Sequence, residues 1–159
     1  MSGQGNHLRM GQVKGGKVNV GGFVWAASQV VKNKGGKFVF NNAGALTLLV
    51  AGSTQILGWA NEYERTPTVG DKCTVNLALD AVFRMPLITG ATFVEGMRGD
   101  TCDVENGTSV EGAATVQCAA PGTTTHTPLI IVDGDLVNSY WVDVMRNPYP
   151  AAAKTLADA

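Results

Sequence analysis

The feature that most constrains this chain is the way its apolar residues are cut into short runs. Phe38-Val39-Phe40, Leu46 to Val50, Ile56-Leu57-Gly58-Trp59-Ala60, Cys73 to Leu79 and Val82 to Ile88 follow one another, separated by Gly, Asn, Asp and Pro. Short apolar runs suit either buried helix or strand, but turn signals recurring every 8–12 residues favour strands in a barrel or sandwich. Composition points the same way: 20 Gly, 19 Val and 15 Thr stand against 11 Leu. Gly and Thr interrupt helices, whereas Val and Thr suit a pleated surface. The expectation is an all-β fold, an antiparallel β-barrel or sandwich, with two small β modules as the alternative. The predicted layout is an extended N-terminal arm over residues 1–17, a first β module over 18–80, a second over 81–148 and a C-terminal tail over 149–159.

A chain of 159 residues and 16.6 kDa buries enough surface for a core without metals or disulfides. No run approaches the ~18 apolar residues of a membrane span. Met1-Ser2-Gly3-Gln4-Gly5 lacks a basic-then-apolar signal pattern, so the chain is expected in the cytoplasm where it is made. The three cysteines, Cys73, Cys102 and Cys118, are odd in number and show no Cys-x-x-Cys. Buried free thiols are the expected reading, and a Cys102–Cys118 bridge is the alternative.

Charge is uneven along the chain. Residues 1–61 hold Arg9, Lys14, Lys17, Lys32, Lys34 and Lys37 and no acidic residue, while the rest carries six basic and 13 acidic side chains. Such asymmetry suggests a basic surface facing an acidic partner, or simply lysines that keep hairpins soluble. Lys14-Gly15-Gly16-Lys17 is echoed twenty residues later by Lys34-Gly35-Gly36-Lys37, each followed by a β-branched or aromatic run. Gly-Gly supplies the positive φ angles of two-residue hairpins, so each copy predicts a hairpin turn with lysines on its shoulders. Asn41-Asn42-Ala43-Gly44, Asn106-Gly107, Pro121-Gly122 and Asp133-Gly134-Asp135 read as further turns. Pro86 confines its segment to an edge strand or a strand end.

Little in the sequence assembles into catalytic chemistry. Gly11 to Val18 nearly spells a phosphate-binding loop, but Val18 stands where a magnesium-binding hydroxyl is needed, and the following residues are poor helix material. His7 and His126 lack Cys or His neighbours at metal-ligand spacing, and no Gly-x-Ser-x-Gly elbow occurs. Asp100, Asp103, Glu105 and Glu111, and the pair Asp133 and Asp135, offer carboxylates, yet no twelve-residue calcium loop is present. No enzyme activity, cofactor or metal is expected. The remaining bottom-up alternative is a single-stranded nucleic-acid-binding barrel, in which the early lysines would meet phosphates while Phe23, Trp25, Phe38, Phe40 and Trp59 stack on bases.

The C-terminal half carries a more specific pattern: Val82-Phe83-Arg84-Met85-Pro86-Leu87, Met97 to Val104, Ile130 to Asp135 and Tyr140 to Pro148. With the looser segments Ala45 to Val50 and Ile56 to Ala60, this resembles the small capsid decoration (cement) proteins of tailed bacteriophages, including those of aquatic phages. The resemblance implies a β-rich clamp on the capsid exterior, made in the bacterial host and assembled as a homotrimer. It implies the major capsid protein as partner, reached by terminal arms, and no cofactor or reaction. The Lys-Gly-Gly-Lys arm has no match in the family pattern. On this reading Leu8, Arg9, Met10, Lys14 and Lys17 are the candidate capsid-binding residues, with Tyr149 and Leu156 in the tail. Arg and Lys would pair with shell carboxylates, and the apolar side chains would fill gaps.

Overall fold

The structure is a computed structural model that describes residues 10–53, 55–122 and 127–148. It is all-β. Five strands, β2 (Asn19–Val24), β3 (Phe38–Asn42), β4 (Ala45–Leu48), β5 (Gly58–Asn61) and β6 (Lys72–Asn76), form one antiparallel sheet in the order β2-β6-β5-β3-β4. The other sheet has six: β1 (Gly11–Lys14), β7 (Val82–Pro86), β8 (Thr101–Gly107), β9 (Val116–Pro121), β10 (Leu129–Gly134) and β11 (Trp141–Arg146). Their order is β1-β7-β11-β10-β8-β9, again antiparallel throughout. A single 3-10 turn, Glu95–Met97, is the one helical element among the described residues. The sheets do not close into a barrel; they form the two layers of a sandwich.

Strand alternation builds the core. Phe38 and Trp59 point from the five-stranded sheet toward the six-stranded one and meet Phe83 of β7. Phe38 stands edge-on to Trp59 (centroids 4.9 Å, 88°) and to Phe83 (5.4 Å, 80°), while Trp59 and Phe83 stack at 4.6 Å. Such pairs add about 0.5–1.5 kcal/mol each beyond their buried area. Met85, Cys102, Val104, Leu129, Ile131, Val142 and Val144 complete this shared core. Their neighbours in the strands, Val39, Ala60 and Val75, face the other way. There they join Trp25, Val31, Leu46 and Cys73 in a second cluster, which the irregular segment after β2 covers.

Among the polar side chains that link the layers, one is fully engaged. Gln117 lies on β9, the edge of the six-stranded sheet, and is buried. Its Nε2 donates to the carbonyls of Phe38 (3.0 Å) and Leu49 (3.1 Å), and its Oε1 accepts from the Phe38 N–H (3.0 Å). Its backbone carbonyl accepts from the Gly36 N–H at 2.8 Å. The side-chain amide thus acts as a one-residue strand between the two sheets.

Neither Lys-Gly-Gly-Lys forms the expected hairpin. The first carries the chain from β1 in one sheet to β2 in the other. The second runs against β9. A Cβ on Gly36 would sit 2.5 Å from both Gln117 Oε1 and Met85 Cε, and one on Gly15 (φ 95°) would collide with the Asp80 carbonyl. Gly15 thus combines a positive φ with close approach to the Asp80 backbone, and Gly36 leaves room for the Gln117 and Met85 side chains. Asn106-Gly107 is not a turn either; both residues pair within β8. Val31 and Arg65 form an isolated antiparallel bridge. The hairpin at Ala43-Gly44 does form, with φ of 52° and 89°. Pro86 ends β7, as its missing N–H requires.

Replacing Gln117 by Leu removes the partner of one buried N–H and of two carbonyls. The expected loss is about 3 kcal/mol, at ~1–3 kcal/mol per unsatisfied group, read from denaturant unfolding. Ala43→Asn puts an αL-tolerant residue into the two-residue turn and is expected to raise stability by about 0.5–1 kcal/mol in the same assay.

Candidate docking surface

Of the residues expected to contact a partner, Leu8, Arg9, Tyr149 and Leu156 lie outside the described residues. Met10, Lys14 and Lys17 are described. Met10 is only 6% exposed, and its N–H bonds the Asn33 carbonyl at 3.1 Å. Its side chain belongs to the body and is not offered to a partner. Residues 11–14, placed in the arm by sequence, pair with β7 as β1. Lys14 and Lys17 are exposed on the crossover that follows.

That crossover is held rigidly. The Gln12 amide donates to the carbonyls of Lys14 (3.3 Å), Gly15 (3.2 Å) and Gly16 (2.7 Å). Gly16 N–H donates to Asp80 Oδ1 at 3.1 Å, and Val18 N–H to Asn76 Oδ1 at 3.0 Å. The two lysine side chains therefore project from a fixed backbone. A second basic point lies beside Met10: Lys34 is exposed, and Lys32 Nζ donates to the Ala114 carbonyl at 3.0 Å. Around them Val30, Val31, Arg65 and Val116 line a surface cleft of about 440 Å³. Lys37, in contrast, is buried, with Nζ donating to the Glu62 carbonyl at 2.6 Å. The lysines of the first half are thus divided between surface and structure.

Several carboxylates are engaged in ion pairs and hydrogen bonds. Glu62 accepts from Arg65 (2.9 Å) and from the Trp25 indole N–H (3.1 Å), while Arg65 also reaches Asp71 (2.8 Å). Burial pushes Glu62 up, but hydrogen bonds from Arg65, Trp25 and the Tyr63 N–H outweigh it and hold the carboxyl below its ordinary 4.5. Arg65 holds Asp71 below its ordinary 3.8, helped by the Thr68 N–H. Burial also pushes Asp135 up, but it accepts from the N–H groups of Asn138, Tyr140 and Val137, and the net shift is downward. Asp135 therefore caps the β10–β11 connection. Asp133 pairs with Arg98 at 2.8 Å, and Asp103 accepts from the Gly52 and Val104 N–H groups. Asp143 grips Arg84 with both oxygens (2.9 and 3.2 Å), and the guanidinium lies 3.7 Å from the centre of the Trp141 ring.

All three cysteines are free and buried. Burial pushes Cys73 up to about 11 and both Cys102 and Cys118 up to about 12, the reverse of an activated nucleophile. Among the described residues no group of three His, Cys, Asp or Glu is placed to hold a metal ion. Trp25, Phe38 and Trp59 are at most 4% exposed, so these three aromatics cannot stack on bases. No helix among the described residues is long and apolar enough to cross a membrane.

Gln117 and Arg146 are the polar residues that the sequence did not single out. Gln117 sits between Val116 and Cys118, and Arg146 directly follows the run Tyr140 to Met145. A polar side chain beside an apolar strand was the available signal. Comparison with known proteins adds no relative: no family model matches the chain, and neither a curated protein nor a solved structure does.

The depressed carboxyls set an acid limb. Each contributes stability above its ordinary value and loses it as pH falls through its lower folded value. Stability should therefore fall below about pH 4.5, the ordinary value for Glu62. Arg65→Gln should make that fall shallower, because it removes the ion pairs to Glu62 and Asp71. Urea midpoints measured between pH 7 and pH 3 check both statements.

Proposed function

We propose that this chain is a structural virion protein of a tailed bacteriophage. In this reading it binds the outer surface of the capsid and stabilises the shell by bridging major capsid protein subunits. One observation carries the reading. The four sequence segments that resemble capsid decoration proteins become β7, β8, β10 and β11. In the sheet these are neighbours, in the order β7-β11-β10-β8. A pattern scattered over 67 residues thus corresponds to one block of sheet.

The mechanism is linkage. A protein that binds only the assembled shell stabilises that state by RT ln(1 + [L]/Kd) per site, about 2.7 kcal/mol at a hundredfold excess over Kd. Many weak clamps then resist internal pressure without any reaction. On this reading the chain forms a homotrimer on the shell. Leu8 and Arg9 are the capsid contacts on this reading, and the exposed Lys14 and Lys17 add charge contacts.

The structure also sharpens the deletion that tests this. Removing residues 1–9 leaves β1 in place, whereas removing 1–17 strips a strand from β7. With purified undecorated shells of the source phage, the full chain should bind in simple proportion to the shell protein. The 1–9 deletion should keep its unfolding midpoint and lose at least tenfold in affinity. Absence of the chain from purified particles, read by quantitative mass spectrometry, would overturn the proposal. Unchanged affinity after the deletion would remove the arm from it.

A further inference from the structure

A cleft of about 490 Å³ opens where β10 begins and β11 ends. Ile56, Leu79, Pro128, Met145 and Pro148 supply apolar walls, and Arg146 is the only charged residue of the lining among the described residues. Leu79 stands on the rim at 71% exposure, a large apolar side chain left open beside the cleft.

Arg146 is the odd member. It is half-buried, and burial lowers its pKa. Its only hydrogen bonds among the described residues run to two carbonyls, Nη1 to Leu77 (3.3 Å) and Nη2 to Ile56 (2.6 Å). No carboxylate among the described residues forms an ion pair with it. The other partly buried arginines behave differently: Arg65 pairs with Glu62 and Asp71, and Arg84 with Asp143. A guanidinium has five N–H donors in a planar fork that matches a carboxylate. Two carbonyls hold the fork in place and leave the remaining donors for a second acceptor.

We propose that this cleft is a docking site for an extended peptide segment of a partner protein, one that carries a carboxylate flanked by apolar side chains. Charge complementarity selects the carboxylate, since the described residues of the lining include one cation and no anion. The apolar walls and the exposed Leu79 select the flanking side chains. The exposed Gln55 amide, also in the lining, adds a donor and an acceptor for peptide backbone. The proposal does not depend on the capsid reading, because the cleft chemistry is the same whichever protein supplies the segment.

The test uses the full chain labelled with ¹⁵N and follows the Arg146 Nε–H signal. The probes are blocked tripeptides, acetyl-Leu-Glu-Leu-amide and acetyl-Leu-Asp-Leu-amide, with acetyl-Leu-Gln-Leu-amide as the neutral match and sodium acetate as the bare anion. A saturable shift is expected with at least one acidic peptide, and the Gln peptide should bind at least tenfold more weakly. Arg146→Gln should abolish the difference. Because that change also removes two hydrogen bonds, Leu79→Asp serves as an independent variant at an exposed position. It should weaken the acidic peptide tenfold with the unfolding midpoint unchanged. No saturable shift with either acidic peptide, or equal binding of the acidic and neutral peptides, would overturn the proposal. Acetate binding as tightly as the peptides would also overturn it, leaving a small-anion site. So would a variant ending at Pro148 that binds the acidic peptide more than tenfold tighter than the full chain, which would assign the cleft to the chain's own last residues.

Discussion

A buried amide gives direction to the contact between the two layers. A sandwich held only by apolar contact has no fixed offset between its sheets, because dispersion is non-directional. Gln117 supplies direction. Its three side-chain hydrogen bonds to Phe38 and Leu49 set where β9 stands relative to β3. That register places Phe38 edge-on to Phe83. Gly36 lies so close to Met85 and Gln117 that a side chain there would force those two to shift. The buried Asn76 amide, which donates to Gln12 Oε1 at 3.3 Å, and Arg146, which donates to the Leu77 and Ile56 carbonyls, add further directional links between the layers.

Much of this was legible in the sequence at the level of elements. Short apolar runs between turn residues gave strands near 38–42, 45–48, 72–76, 82–86 and 141–146. Partners were not legible. Lys-Gly-Gly-Lys carries the same residues whether glycine is wanted for positive φ or for the space a missing Cβ leaves, and only the neighbour decides. For Gly36 that neighbour is Gln117, 81 positions away. The same limit applied to Asn106-Gly107, a turn pair that β9 captured into a ladder. Met10 and Lys37 misled by type, since one was read as a reaching side chain and the other as a soluble shoulder, and both are buried.

The surface follows from how the charges were divided. Glu62, Arg65 and Asp71 close a small network under Trp25, and Arg84 and Asp143 close another beside Trp141. Lys14, Lys17 and Lys34 stay exposed, and Arg146 lies half-buried in its cleft without a carboxylate partner among the described residues. The uneven charge of the sequence therefore reaches the surface only in part.

The position of β1 has a consequence for how the chain acquires its shape. Residues 11–14 pair with residues 82–84, and the intervening chain builds the whole of the other sheet. During synthesis the first strand has no partner until the ribosome has delivered the seventh. Closing that loop is entropically costly, and long-range pairing of this kind slows folding. The five-stranded sheet can form early, but the six-stranded one cannot be completed from either end alone. The first strand is thus a late stitch, and a chain cut short before residue 82 would emerge with its amino-terminal segment unsewn.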